Sequence, residues 1–144
     1  MTLSNNIKFR DLYTRFDSSI TYQDCGKKCA PYNEYGRPFC CDINQTIPTA
    51  FLTEWKYLKK HTNLWKLWDP SESIHQQMLL KDIPDSQIPI QCLGHHHCQR
   101  QYRSITCRSF PFYPYFTKEG DFIGFSYYWQ YEDRCWLINN LHLV

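Results

Sequence analysis

The sequence predicts a small single domain of the α+β class, with a central helix and a β-hairpin near the C-terminus. Three observations predict it. One apolar stretch repeats at helical spacing, two aromatic runs flank a short turn containing glycine, and 8 cysteines gather in the irregular stretches of a 144-residue chain. That length suits one domain, residues 1–144, with its cysteine-bearing part over about 25–135. It is also enough chain to bury a hydrophobic core without relying on cross-links.

The elements follow in chain order. Residues 1–24 are polar and aromatic without a clean period, and Ile7 to Phe16 reads as a short helix or an arm. Asp24 to Pro31 reads as a loop, and Tyr32 to Asp42 as irregular, because Gly36 and Pro38 are breakers. The strongest helix signal comes next. Pro48 suits a first helical turn, where its missing N–H has no partner to lose. Phe51, Leu52, Trp55 and Leu58 then fall on one face, and Lys59, Lys60 and His61 offset the dipole at the C-terminal end. Leu64, Trp65, Leu67 and Trp68 are expected to continue this element up to Asp69-Pro70 and to pack in the core. Residues 69–89, with Pro70, Pro84 and Pro89, read as a connection, and Ile88 to Leu93 as a short strand running into Gly94. Tyr113 to Phe116 and Phe122 to Trp129 flank Lys118-Glu119-Gly120-Asp121, the pattern of a hairpin.

Charge excludes some functions. With 16 Lys+Arg against 14 Asp+Glu the net charge is +2, too even for a nucleic-acid or anionic-membrane surface. Tyr127, Tyr128, Trp129 and Tyr131 could stack bases, but without a basic groove they read better as a hydrophobic wall or a surface for a protein partner. The first ten residues carry no apolar signal-peptide core, and no apolar run approaches the ~20 residues of a membrane span. The expected setting is therefore the reducing cytoplasm, away from membranes, where dense cysteines point to metal or redox chemistry rather than disulfides. No phosphate-binding loop, dinucleotide fingerprint or G-x-S-x-G elbow is present. Cys98 beside His97 is a possible nucleophile and base, but adjacency in sequence alone carries little weight.

Cysteine spacing supplies the chemistry. Three residues lie between Cys25 and Cys29, ten more lead to Cys40-Cys41, and fifty separate that pair from Cys92, with Cys98 and Cys107 following. Two cysteine-dense stretches flanking a helical spacer suit a metal site closed by tertiary folding. Thiolates are soft anionic donors suited to iron–sulfur clusters and zinc, and ligands from distant segments make metal binding a staple of the fold. The loops of the domain are accordingly expected to be organised around a Cys-ligated metal site, with Cys25, Cys29, Cys40, Cys41, Cys92, Cys98 and Cys107 as candidate ligands. Cys40 and Cys41 are awkward ligands to one ion, since neighbouring side chains point in different directions. Two arrangements suit them: one is a ligand while the other packs, or each serves a different metal atom. Cys135 stands alone, equally readable as structural, and one of His95-His96-His97 could add an imidazole. Arg100, Arg103 and Arg108 either offset thiolate charge or lie on plain surface. Spacing excludes a zinc ribbon, which wants two C-x-x-C knuckles. It also excludes a radical-SAM motif, whose third cysteine would fall on Tyr32.

The array of Cys25, Cys29 and Cys40-Cys41, then Cys92 and Cys98, then Cys107-Arg108-Ser109-Phe110-Pro111-Phe112, resembles the YkgJ-type cysteine-cluster family over about residues 25–112. The family's first element is tighter, C-x-x-C-x-x-C-C, than the C-x₃-C-x₁₀-C-C found in this chain. That family is described as a zinc- or iron-chelating domain, and its members are often labelled as containing an iron–sulfur cluster. The resemblance implies metal binding and no particular substrate. The expectation is a small cytoplasmic protein holding an iron–sulfur cluster, such as 4Fe-4S, or zinc, with an electron-transfer, metal-handling or structural role. The alternatives are a metal-dependent enzyme and a zinc-stabilised module that binds a protein through its aromatic C-terminal region.

Overall fold

The computed structural model describes residues 8–70 and 74–144. The start of the chain, Ile7 included, and positions 71–73 of the expected connection lie outside the described residues. The domain is α+β, with two small antiparallel sheets and several short helices.

Helix α1 (Phe9–Arg15) buries Phe9 and Tyr13, four residues apart and so on one face. The stretch read as a loop contains a second helix, α2 (Cys25–Cys29). Its N-terminus is set by Asp24, whose carboxylate accepts from the Lys27 amide at 3.1 Å. Three single 3₁₀ turns follow, at Ala30–Tyr32, Glu34–Gly36 and Phe39–Cys41, in agreement with the irregular reading of that region.

The central helix is shorter than its apolar pattern suggested. Pro48 precedes a strand, β1 (Thr49–Phe51), and its carbonyl accepts from the Ile90 amide at 2.9 Å. Helix α3 (Leu52–His61) begins only after Phe51, where Glu54 reaches back to accept from the Phe51 amide at 3.2 Å. It ends at Thr62, which is extended (φ −151°, ψ 154°) and whose hydroxyl accepts from the Leu64 amide. The apolar residues beyond form a strand, β2 (Trp65–Leu67), because β3 (Gln87–Cys92) offers them a hydrogen-bonded edge. A short apolar run carries no period strong enough to distinguish helix from strand.

Strand β3, expected from the sequence, is the middle of the first sheet, with β1 and β2 antiparallel on either side. The expected connection before it contains helix α4 (Ile74–Leu80), which buries no residue and so leaves no core-facing signature. Helix α5 (Ile105–Ser109) is capped by the fully buried Ser104, whose hydroxyl accepts from the Cys107 amide at 3.2 Å. A cis Phe110–Pro111 peptide leads into the hairpin, β4 (Phe112–Phe116) and β5 (Phe122–Tyr127). Its turn holds Gly120 at φ +94°, a conformation that favours glycine. The second strand stops at Tyr127, and Trp129 belongs to a 3₁₀ turn instead.

Two apolar clusters result. Phe9, Tyr13, Ala50, Leu58, Leu64, Trp65 and Ile90 form the larger, between α1, α3 and the first sheet. Cys135, Leu137 and Ile138 form the smaller, with Cys25, Phe110 and Tyr131 packed against it. Glu54 is the buried polar residue that organises the first. Its carboxylate accepts from the Tyr13 hydroxyl and from the amides of Phe51 and Ile105, the last at 2.7 Å.

Candidate metal centre

Six segments carry the eight cysteines, and each segment is held by an identifiable contact. On α2, Cys25 and Cys29 stand one helical turn apart and share a face. Gly26 lets that helix approach the next segment: a Cβ there would lie 3.3 Å from Pro38 Cγ. Cys40 and Cys41 close the 3₁₀ turn beside it, where the Cys40 carbonyl accepts from the Thr46 hydroxyl at 3.0 Å. Cys92 ends β3 opposite Trp65. Cys98 follows the histidine turn and is exposed. Cys107 sits on α5, which is tied to β1 by the Thr106 hydroxyl donating to the Thr49 carbonyl at 2.7 Å. Cys135 is fixed by its amide donating to the Tyr131 carbonyl at 2.8 Å. All eight are free thiols.

The fold brings these thiols together in space. Cys25, Cys29, Cys40 and Cys135 line one cavity of about 30 Å³, walled by Phe39 and Phe110. Phe39 packs edge to face on Tyr131, and Phe110 is tilted against both, with ring centroids 5.0–6.3 Å apart. Electrostatic interactions link Cys92 to Cys41 and Cys98, and Cys107 to Cys41, Cys92 and Cys98, and they also link Cys29 to Cys41 and Cys40 to Cys107. Among the described residues, however, no group of three or more His, Cys, Asp or Glu side chains is placed to hold a metal ion. The cysteines are gathered without being closed on a common point.

The local electrostatics follow from burial and hydrogen bonding. Burial pushes the Cys107 thiol up to about 12, against the pull of the Arg103 guanidinium. Cys40 and Cys41 share a hydrogen bond between their thiols, which holds Cys41 below the ordinary thiol range and Cys40 well above it. Two sulfurs receive N–H donors. The Gly94 amide approaches Cys92 at 3.4 Å, and Arg103 Nε approaches Cys98 at 3.1 Å. Burial raises the thiols of Cys25, Cys29, Cys92 and Cys135, and the Gly94 amide opposes it at Cys92. Each donor favours the thiolate over the thiol, the form a metal requires.

The other candidates separate clearly. Arg103 does face the cysteines. Arg108 does not: its guanidinium donates to the carbonyls of Tyr13, Phe16 and Gln101 and lies 4.2 Å from the Tyr13 ring, clamping α1 to the body of the domain. Arg100 donates to Ser19 and to the Asp17 carbonyl. The rings of His95 and His96 lie 3.8 Å apart and tilted by 38°, and His96 and His97 are exposed. Cys135, which the sequence leaves as an isolated residue, is a full member of the cavity. Its only sequence signal is the apolar Trp136-Leu137-Ile138 that follows it and buries the segment.

No family model, curated protein or solved structure matches the chain. The likeness to the YkgJ-type family therefore rests on the residues that carry it. Among the described residues, no helix is long and apolar enough to cross a membrane.

Proposed function

We propose that the protein binds a thiophilic metal, as an iron–sulfur cluster or as zinc, through its gathered cysteines, in a reducing compartment such as the cytoplasm. One observation carries this reading: cysteines from α2, the Cys40-Cys41 turn and the C-terminal segment, separated by up to 110 positions, line the same cavity. A buried cysteine alone is a small hydrophobe. Four round one cavity, with N–H donors reaching two other cysteine sulfurs, Cys92 and Cys98, need a different explanation. The donor chemistry fits zinc and iron, since thiolate ligands are deprotonated by the metal and steadied by such hydrogen bonds. Closing the site requires the cysteine side chains to turn toward one point, so binding would also stiffen the turns that carry them.

Anaerobic purification followed by metal analysis, acid-labile sulfide assay and visible absorption tests the proposal. Iron with sulfide and a reducible chromophore supports an iron–sulfur protein with an electron-transfer or metal-handling role. Stoichiometric zinc without colour supports a structural site. A stably folded protein that neither carries metal nor takes it up under reducing conditions overturns the reading. A further role as an interaction module is favoured by the aromatic C-terminal region, where Phe125 on the hairpin is 70% and Trp129 in the following turn 74% exposed.

A further inference from the structure

We infer that the outer edge of β5 docks an extended segment of a partner protein, apolar in its middle and basic at both ends, which joins the hairpin as a third strand. This rests on the interaction-module reading above and does not depend on a metal.

The hydrogen-bond ladder shows which edge is open. The Tyr128 amide donates to the Pro111 carbonyl at 3.2 Å at one end of the paired stretch, and the Thr117 amide to the Asp121 carbonyl at 2.9 Å at the other. A bulge between Tyr115 and Phe116 takes up the extra residue of β5. Bonded and non-bonded pairs alternate between these ends, so Phe112↔Tyr127, Pro114↔Phe125 and Phe116↔Phe122 are the non-bonded ones. Their main-chain groups point away from the neighbouring strand. On β4 the central outward position is Pro114, which has no N–H to offer and closes that edge. On β5 it is Phe125, a largely exposed residue whose N–H and C=O find no partner among the described residues.

The side chains of the same pairs share one face of the hairpin, where the rings of Phe116, Phe122 and Phe125 touch one another. These three residues are 51–70% exposed. At ~200 Å² for a whole aromatic side chain they offer on the order of 350 Å². A stable interface buries about 800 Å² on each partner, so this surface suits a single strand better than a folded domain or a second copy.

Charge selects the sequence of that strand. Between positions 112 and 134 the four carboxylates of Glu119, Asp121, Glu132 and Asp133 outnumber the two cations, Lys118 and Arg134, on a chain whose net charge is +2. The carboxylates lie beyond both ends of β5 in sequence. Two copies pairing edge to edge about a two-fold axis would bring Glu119 and Asp121 of one toward Glu132 and Asp133 of the other, and like charges oppose that arrangement. A strand with arginine or lysine at its ends meets carboxylates at both ends and rings between them.

The test uses the reduced full-length chain and a blocked nine-residue peptide, in which three valines alternate with two threonines between pairs of arginines. Fluorescence anisotropy should show micromolar binding, about tenfold weaker when glutamates replace the arginines. The Phe125 amide should exchange about tenfold more slowly in the complex. N-methylating one alternate set of the peptide's valine and threonine amides should weaken binding about tenfold and the other set hardly at all, because an added strand offers only every second N–H to the edge. Phe125→Ser should bind about tenfold less, with far-ultraviolet circular dichroism checking that it folds. Binding that is lost in Phe125→Ser but falls equally with both methylated sets keeps the interaction surface and overturns strand addition. A wild-type chain that dimerises while Phe125→Ser stays monomeric gives the edge to a second copy and overturns the inference. No binding of either peptide overturns the inference and the interaction-module reading together.

Discussion

The two apolar clusters of this domain are built from different materials. Around the first sheet, Leu58, Leu64 and Ile90 are almost completely buried, and the cysteines present, Cys92 and Cys107, only pack against the edge of the cluster. In the smaller cluster a thiol is itself part of the core: Cys135 stands beside Leu137 and Ile138, with Cys25 against them. The segments there are one-turn helices and 3₁₀ turns, which cannot be stable on their own. A region with three buried core residues and five-residue helices lacks the apolar area that holds the sheet region together. The cysteine region is therefore held by less apolar burial than the sheet region.

Removing a core side chain from each region gives the largest effects and tests the division directly. Leu58→Ala should cost about 4 kcal/mol in urea denaturation, because a fully buried leucine leaves both lost burial and a cavity. Its zinc affinity should stay within about twofold of wild type. Leu137→Ala, which opens the cavity lined by Cys25, Cys29, Cys40 and Cys135, should cost about 2 kcal/mol and weaken zinc binding at least tenfold. Equal losses of zinc affinity in the two variants would show that the regions are one cooperative unit.

The next effect concerns how α1 joins the sheet region. Arg108→Ala removes the guanidinium that donates to Tyr13, Phe16, Gln101 and Arg103 carbonyls. A loss of about 2 kcal/mol is expected, since hydrogen bonds from a charged donor are among the stronger ones. Hydrogen exchange should accelerate in α1 before anywhere else. Arg108→Lys should not restore protection, because an ammonium cannot span carbonyls on three sides as the planar fork does. Full rescue by lysine would mean that charge, not the fork, anchors the helix.

How much of this was legible in the sequence depends on whether the signal was local. Strand β3, the hairpin and the core of α3 follow from periodicity and turn residues within a dozen positions. The start of α3 was misplaced because Pro48 suits a helix and a strand entrance equally, and only the buried Glu54, reaching back to Phe51, decides between them. Asp24 before Cys25 was a readable helix cap, outweighed by the expectation that clustered cysteines sit in loops. The conversion of Trp65–Leu67 to a strand could not be read locally, since its cause is the edge of β3, more than twenty residues away. The candidate site divides in the same way. Seven cysteines could be named from their density, whereas the place of Cys135 depends on a chain reversal that density does not encode. Arg103 and Arg108 looked alike in sequence and face entirely different partners.

A smaller effect than either substitution is expected from pH, again confined to the sheet region. Burial raises the Glu54 carboxyl above its ordinary range, against the pull of its three hydrogen-bond donors. Well below the ordinary carboxylate range both the folded and unfolded chains hold this proton, and its contribution to stability is fully present. As pH rises toward the raised folded value, the unfolded chain releases the proton first, so stability falls across that window. Glu54→Gln should remove that part of the slope in urea midpoints measured between pH 4 and about pH 7. An unchanged slope would assign the pH dependence to other groups.

The smallest effect is expected on the hairpin, and its smallness is the informative result. Phe116, Phe122 and Phe125 contact one another edge to face or tilted, with centroids 5.4–5.6 Å apart, yet each is more than half exposed. Their rings add little to the core, so Phe125→Ser and Phe122→Ser should each change stability by less than about 0.5 kcal/mol. Zinc affinity should also be unchanged, since neither ring lines the cavity. A hairpin with so little to contribute to folding has no stability reason to display aromatic residues, and a surface of this kind is what a binding partner would select. A loss above 1 kcal/mol in either variant would place the hairpin in the folding core and remove that argument.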